Sequence, residues 1–253
     1  MQHQELVENL KSLRLFEMAR NYHEAATFAQ MKSLTFEQYL ASLVEREQEV
    51  RQQRRVQSLI KAANILNAKR LETYDYSCRS GVTASAMAKL ATGQFIEEKA
   101  NIVFYGSFGL GKSHLATGLV LDLCARGFKC RFYDTHALIN ELLEAQKSLQ
   151  LAKIQKRLDK FDVIICDELG YVPYEREGAN LFFQMISYRY ERKSLIFTTN
   201  LTYSEWEKVF IDSITTAAAI DRIIHRCYTF NIQGPSWRAE EASRIAKEKA
   251  AEI

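Results

Sequence analysis

Apolar positions recur at helical intervals through the first part of the chain. Leu6, Leu10, Leu13 and Met18 share one spacing pattern, and the stretch from Leu34 to Val44 repeats it. Thr35-Phe36-Glu37-Gln38 has the form of a capping box, with Leu34 and Tyr39 placed as a hydrophobic staple, so a helix is predicted to start there. No Gly or Pro occurs in residues 1–70, which favours two or three helices over any sheet. The pattern breaks at Leu71-Glu72-Thr73-Tyr74-Asp75-Tyr76, and a domain boundary is placed there: a helical domain over 1–72 and a second domain over 73–253. Beyond Asn101, short apolar runs alternate with amphipathic helical stretches. Ile102–Tyr105, Cys130–Tyr133, Val163–Cys166, Leu195–Thr198 and Tyr228–Ile232 are the predicted strands. Strands spaced by helices of this length imply an α/β fold, a parallel five-stranded sheet with helices on both faces.

Composition narrows the class. Hydrophobic residues make up 47% and charged residues 26%, the balance of a soluble globular protein with a core. No run is apolar enough to span a membrane, and Met1-Gln2-His3-Gln4-Glu5 lacks the marks of a secretory signal, so a cytoplasmic location is expected. The five cysteines are scattered and none pairs at C-x-x-C spacing. Neither a disulfide framework nor a zinc site follows, and Cys124, Cys130 and Cys166 read as small core residues. Charge is more telling in its placement than in its sum. Residues 1–70 carry 11 Lys/Arg against 8 Asp/Glu, which accounts for the whole net charge of +3.

One segment carries explicit chemistry. Gly106-Ser107-Phe108-Gly109-Leu110-Gly111-Lys112-Ser113 matches G-x-x-x-x-G-K-[ST], with a predicted strand before it and a predicted helix after it. Glycines let backbone N–H groups turn toward phosphates, and a helix N-terminus adds its positive dipole end. Lys112 is placed to neutralise β- and γ-phosphates of ATP, and the Ser113 hydroxyl to ligate Mg²⁺. His114 follows directly and is counted with the nucleotide-contacting residues, although a lone histidine more often has a structural use. Phe161-Asp162-Val163-Ile164-Ile165-Cys166-Asp167-Glu168 reads as a Walker B segment: Asp167 for Mg²⁺, Glu168 for the attacking water. An apolar run ending in Asp-Glu is weak alone; after this P-loop it is strong. Asn200 ends the run Leu195–Asn200 and suits an amide contact to the γ-phosphate, against the blander reading of turn chemistry. Arg222 and Arg226 lie four apart on one helix face, where Arg222 could serve a neighbouring subunit as an arginine finger. The alternative is a solvated basic face near a helix C-terminus.

Between Glu49 and Glu72 no acidic residue occurs, while Arg51, Arg54, Arg55, Lys61, Lys69 and Arg70 do. A basic stripe at helical spacing suits phosphate-backbone contact, with Arg51, Arg54, Arg55 and Lys61 as the candidate DNA contacts. A solvated helix face is the competing reading. The tail from Ala239 to Ile253, rich in Ala, Glu and Lys, reads as a solvated helix.

With these motifs in view, the chain resembles the IstB family of transposition helper ATPases, close relatives of the DnaC helicase loaders. The likeness rests on Leu10-Lys11-Ser12-Leu13-Arg14-Leu15, Leu34–Leu40, Ala91–Ile96 before the P-loop, Asp167-Glu168-Leu169-Gly170-Tyr171 and Asp221–Arg226. The resemblance implies an AAA+ fold, ATP hydrolysis, homo-oligomers on duplex DNA with active sites between subunits, and assistance to a transposase at its target. It also implies a finger at Arg222 and a sensor-2-like arginine at Arg238, within Gly234-Pro235-Ser236-Trp237-Arg238. Two rivals stand beside it. One is a DnaC-like loader gripping a replicative helicase; loaders with a zinc-binding N-terminal domain are excluded because no Cys precedes Cys78. The other is a scaffold that binds nucleotide without hydrolysing it, against which the intact Lys112, Ser113, Asp167 and Glu168 argue.

Overall fold

The computed structural model describes residues 2–171, 174–210, 212–239 and 241–242. Most of the tail expected to be helical from Ala239 onward lies outside the described residues. In chain order the helices are α1 (Gln2–Ser12), α2 (Phe16–Met31), α3 (Phe36–Ala63), α4 (Ala84–Ala91), α5 (Gln94–Glu97), α6 (Lys112–Ala125), α7 (Thr135–Lys147), α8 (Leu151–Leu158), α9 (Arg176–Arg189), α10 (Glu207–Phe210) and α11 (Ser213–Ile224). The strands are β1 (Asn101–Tyr105), β2 (Cys130–Asp134), β3 (Val163–Leu169), β4 (Ser194–Thr199) and β5 (Cys227–Asn231). No described helix is long and apolar enough to cross a membrane.

The chain divides into two compact units, Met1–Ser58 and Leu59–Ile253. This division falls earlier than the boundary placed at 72/73. Ala63, Leu71 and Tyr74 are buried in the core of the second unit, which accounts for the difference.

The first unit is helical. Thr35 and Gln38 form the reciprocal capping box at the start of α3, with Thr35 N–H donating to Gln38 Oε1 at 2.9 Å and Gln38 N–H to Thr35 Oγ1 at 3.2 Å. Met18, Ala19, Ala29 and Leu43 are buried, whereas Leu6 and Leu13, apolar and in register, stay exposed. The start of α2 is held by a residue distant in sequence. Glu47 of α3 accepts from the N–H groups of Glu17 at 2.7 Å and Met18 at 3.1 Å, satisfying donors that no intrahelical carbonyl can reach.

The second unit is built on a parallel sheet ordered β2-β3-β4-β1-β5. Alternation along each strand separates two cores. Ile102, Phe104, Val163, Ile165 and Ile196 face the core that α4–α6 cover. Val103, Ile164, Cys166, Leu195 and Phe197 face the core built with α7–α11. Strands buried on both faces are why these segments read as continuous apolar runs. A buried arginine closes the far edge. Arg189 donates to the carbonyls of Leu158, Phe161, Asp162 and Ser194 at 3.1–3.4 Å, tying the entries of β3 and β4 together. Burial pushes its pKa down to about 10, where the carbonyls still hold a cation.

Candidate nucleotide site

In a parallel sheet the carboxyl ends of the strands share one edge, and here the register aligns the motifs along it. Tyr105, which precedes Gly106, pairs with Thr199, which precedes Asn200. Asp134 at the end of β2 pairs with Asp167 of β3. One edge therefore gathers the P-loop, the Walker B carboxylates and Asn200.

The P-loop joins β1 to α6. Gly111 occupies the N-cap position of α6 in the left-handed region, φ +81, and no side chain caps the helix, so its first N–H groups are available to an anion. Gly109 is left-handed too, and a Cβ there would meet Ser236 Oγ at 2.0 Å. The chain after β5 therefore lies directly on the loop, and Trp237 N–H donates to Gly109 O at 3.0 Å. From the other side, Tyr74 donates its hydroxyl to Leu110 O at 2.9 Å; burial raises that hydroxyl's pKa to about 12 and keeps it protonated. Phe108 is exposed at the loop, its ring edge-on to Tyr171.

Lys112 Nζ donates to Gly106 O and Ser107 O, each at 2.7 Å. Burial lowers its pKa to about 8, opposed by the carboxylates of Asp167 and Glu168 and aided by Arg238. Ser113 Oγ donates to Asp167 Oδ1 at 2.8 Å, and Thr198 Oγ1 donates to the same oxygen. Burial pushes the Asp167 carboxyl up, while those two hydroxyls pull it down and Asp134 adds to the rise. Glu168 is also raised, first by burial and then by Asp167 and Asp134; Arg238 and Lys112 oppose the shift. Lys112, Ser113, Asp167, Glu168 and Arg238 thus form one electrostatic cluster. The hard hydroxyl and carboxylate oxygens of Ser113 and Asp167 are the donor set that Mg²⁺ takes.

Other candidates sit elsewhere. The His114 ring is 2.8 Å from Arg70 O and edge-on to Tyr74, so it fastens the 70–74 segment to the start of α6. Burial lowers its pKa and favours the neutral ring. Arg222 donates to Ala218 O at 2.8 Å within its own helix and lies over the Phe183 ring at 5.2 Å. The charges that chiefly shift Lys112, Asp167 and Glu168 are one another, Asp134 and Arg238. In the basic stripe, Arg51 pairs with Glu47 at 2.8 Å and Arg54 with Glu17 at 2.6 Å, both carboxylates buried. Arg55 and Lys61 are exposed on α3. Sequence reasoning passed over Thr198, Asp134 and Thr135, the last of which donates to Asp167 O at 2.6 Å. The Thr-Thr pair in Thr198-Thr199-Asn200 was the available signal for the first.

Known proteins bear on this arrangement. A family profile described as IstB-like ATP binding protein matches residues 8–245. The ATP-binding protein of insertion sequence IS5376 from Geobacillus stearothermophilus is 34% identical over 94% of this chain and 94% of its own length. Its counterpart from insertion sequence IS21 of Pseudomonas aeruginosa is 32% identical over 94% of this chain and 89% of its own. Among solved structures, a DnaC helicase loader superposes with a TM-score of 0.53 at 24% identity, covering 66% of this chain and 98% of that one. AMPPCP-bound DnaA from Aquifex aeolicus reaches 0.54 at 16% identity, over 66% of this chain and 51% of that one. These two share the AAA+ P-loop fold. With the profile spanning nearly its whole length, the chain belongs to the IstB-like ATP-binding proteins.

Proposed function

We propose that the chain is an ATP-hydrolysing helper that oligomerises on duplex DNA and assists a transposase at its target. The observation that carries this reading is the convergence of Lys112, Ser113, Asp167 and Glu168 at one sheet edge. Backbone N–H groups of Gly106–Ser113 cradle the phosphates, and Lys112 neutralises the β/γ pair. Ser113 and Asp167 would hold Mg²⁺, which would supply charge neutralisation at the phosphate oxygens. Glu168, its basicity raised by burial and by two neighbouring carboxylates, accepts the proton of the attacking water. Asn200 orients the γ-phosphate, and Arg238 adds charge beside Lys112. Arg222 acts in trans on the site of a second copy; among the described residues it is held by Ala218 O and the Phe183 ring, away from its own Lys112 and Asp167. Relatives encoded by insertion sequences favour a transposase as partner.

The fold likeness to a helicase loader supports a second reading, in which the partner is a replicative helicase. ATP turnover and particle size, measured with and without duplex DNA, separate the two. The helper reading requires both to rise with duplex DNA. No response to duplex DNA, together with capture of a helicase hexamer, would favour the loader.

A further inference from the structure

We propose that Thr198 is the positioning residue that sets both Walker B carboxylates, an inference that rests on the ATPase reading of this site. Cys166 pairs with Phe197 and Leu169 with Thr199, so Asp167 and Glu168 together oppose the single residue Thr198. Two residues against one make a β-bulge, which breaks the alternation that would otherwise send neighbouring side chains to opposite faces. Glu168 takes the left-handed conformation, φ 59, which is costly for a residue with a Cβ and persists only where surroundings enforce it.

Thr198 supplies the enforcement. A bulge leaves a backbone group without its ladder partner, and the Glu168 N–H instead donates to Thr198 Oγ1 at 3.0 Å. The same hydroxyl donates its one proton to Asp167 Oδ1. Thr198 is 1% exposed in β4, between β3 and β1, and its β-branched side chain has few rotamers to choose from. One rigid hydroxyl thereby fixes the backbone of Glu168 and the carboxylate of Asp167. Were Ser113 to ligate Mg²⁺ instead, Thr198 would be the side-chain donor left on the Asp167 carboxylate among the described residues.

The test compares Thr198→Val, which keeps the shape and deletes the hydroxyl, with Thr198→Ser, which keeps the hydroxyl. Nucleotide affinity is read with a fluorescent ATP analogue in EDTA and across a Mg²⁺ titration, and turnover is read separately. In Thr198→Val the orphaned Glu168 N–H and loosened Asp167 should lower kcat by roughly tenfold to a hundredfold and raise the Mg²⁺ half-saturation several-fold. Affinity in EDTA should hold, and Thr198→Ser should recover most of both losses. If Thr198→Val fails to fold, Thr198→Ala makes the same comparison. Wild-type Mg²⁺ dependence in the Val variant, or equal impairment in Ser and Val, overturns the inference. Absent turnover in the wild type would overturn the ATPase reading instead, and the Mg²⁺ titration would still decide the role of Thr198.

Discussion

Arg54 stands in the basic stripe whose spacing suits DNA contact, yet its guanidinium is 2.6 Å from a carboxylate oxygen of Glu17, whose side chain is 7% exposed. Replacing it by alanine takes the close partner from a buried carboxylate. Breaking a fully buried pair this way costs about 3–5 kcal/mol, and a surface pair at most about 1 kcal/mol. Arg54 is itself 54% exposed, and Arg20 remains 3.6 Å from the same oxygen, so the loss should lie near 1–2 kcal/mol. A unit of the length Met1–Ser58 has only roughly 3–9 kcal/mol at ordinary stability per residue. Arg54→Ala should therefore lower the first melting transition seen by circular dichroism. By contrast Arg55→Ala/Lys61→Ala, on exposed positions, should melt as wild type but flatten the salt dependence of DNA affinity. At about 0.9 per contact, the slope of log affinity against log salt should fall by up to about 1.8. Anisotropy titrations with a labelled duplex read that slope. Wild-type melting in Arg54→Ala with a slope reduced by one contact would refute the reasoning and return Arg54 to the DNA.

The remaining outcomes concern assembly and pH. Arg222→Ala and Lys112→Ala should each be inactive alone, and mixing them should restore partial turnover, because an intact P-loop of one copy meets an intact finger of another; no recovery in assembled mixtures confines Arg222 to its own subunit. Glu47 is held below its ordinary value: burial would raise it, but the N–H groups of Met18 and Glu17 and the Arg51 guanidinium outweigh burial. Its folded-state pKa being depressed, its stabilisation is present above the unfolded value and lost as pH falls through the folded one. Thermal melts of wild type and Glu47→Gln should thus converge on acidification; a gap that persists unchanged into acid would count against the shift.

Much of the second unit was legible because its physics is local. Each strand is a short apolar run, and each run reappears as a strand within a few residues of its predicted ends. The P-loop and Walker B segments announce themselves because phosphate and metal chemistry demand particular residues at fixed spacing. Contacts between distant residues left no such trace. Glu47 capping α2 and Arg189 bridging β3 and β4 join positions that no local pattern links. The stripe of α3 looked uniformly basic because sequence shows charge and not its partners. The helix itself stops at Ala63, where Asn64 turns left-handed at φ 58, a short polar residue that tolerates the conformation. Thr198 was missed because a bulge is a property of two paired strands.

The central claim is that this sheet edge hydrolyses ATP through Glu168 while Lys112, Ser113 and Asp167 hold the nucleotide. Its most direct test is single-turnover hydrolysis by Glu168→Gln at a concentration where binding is saturated. The account predicts ATP affinity equal to wild type and a stalled chemical step. Turnover at the wild-type rate in Glu168→Gln would contradict it.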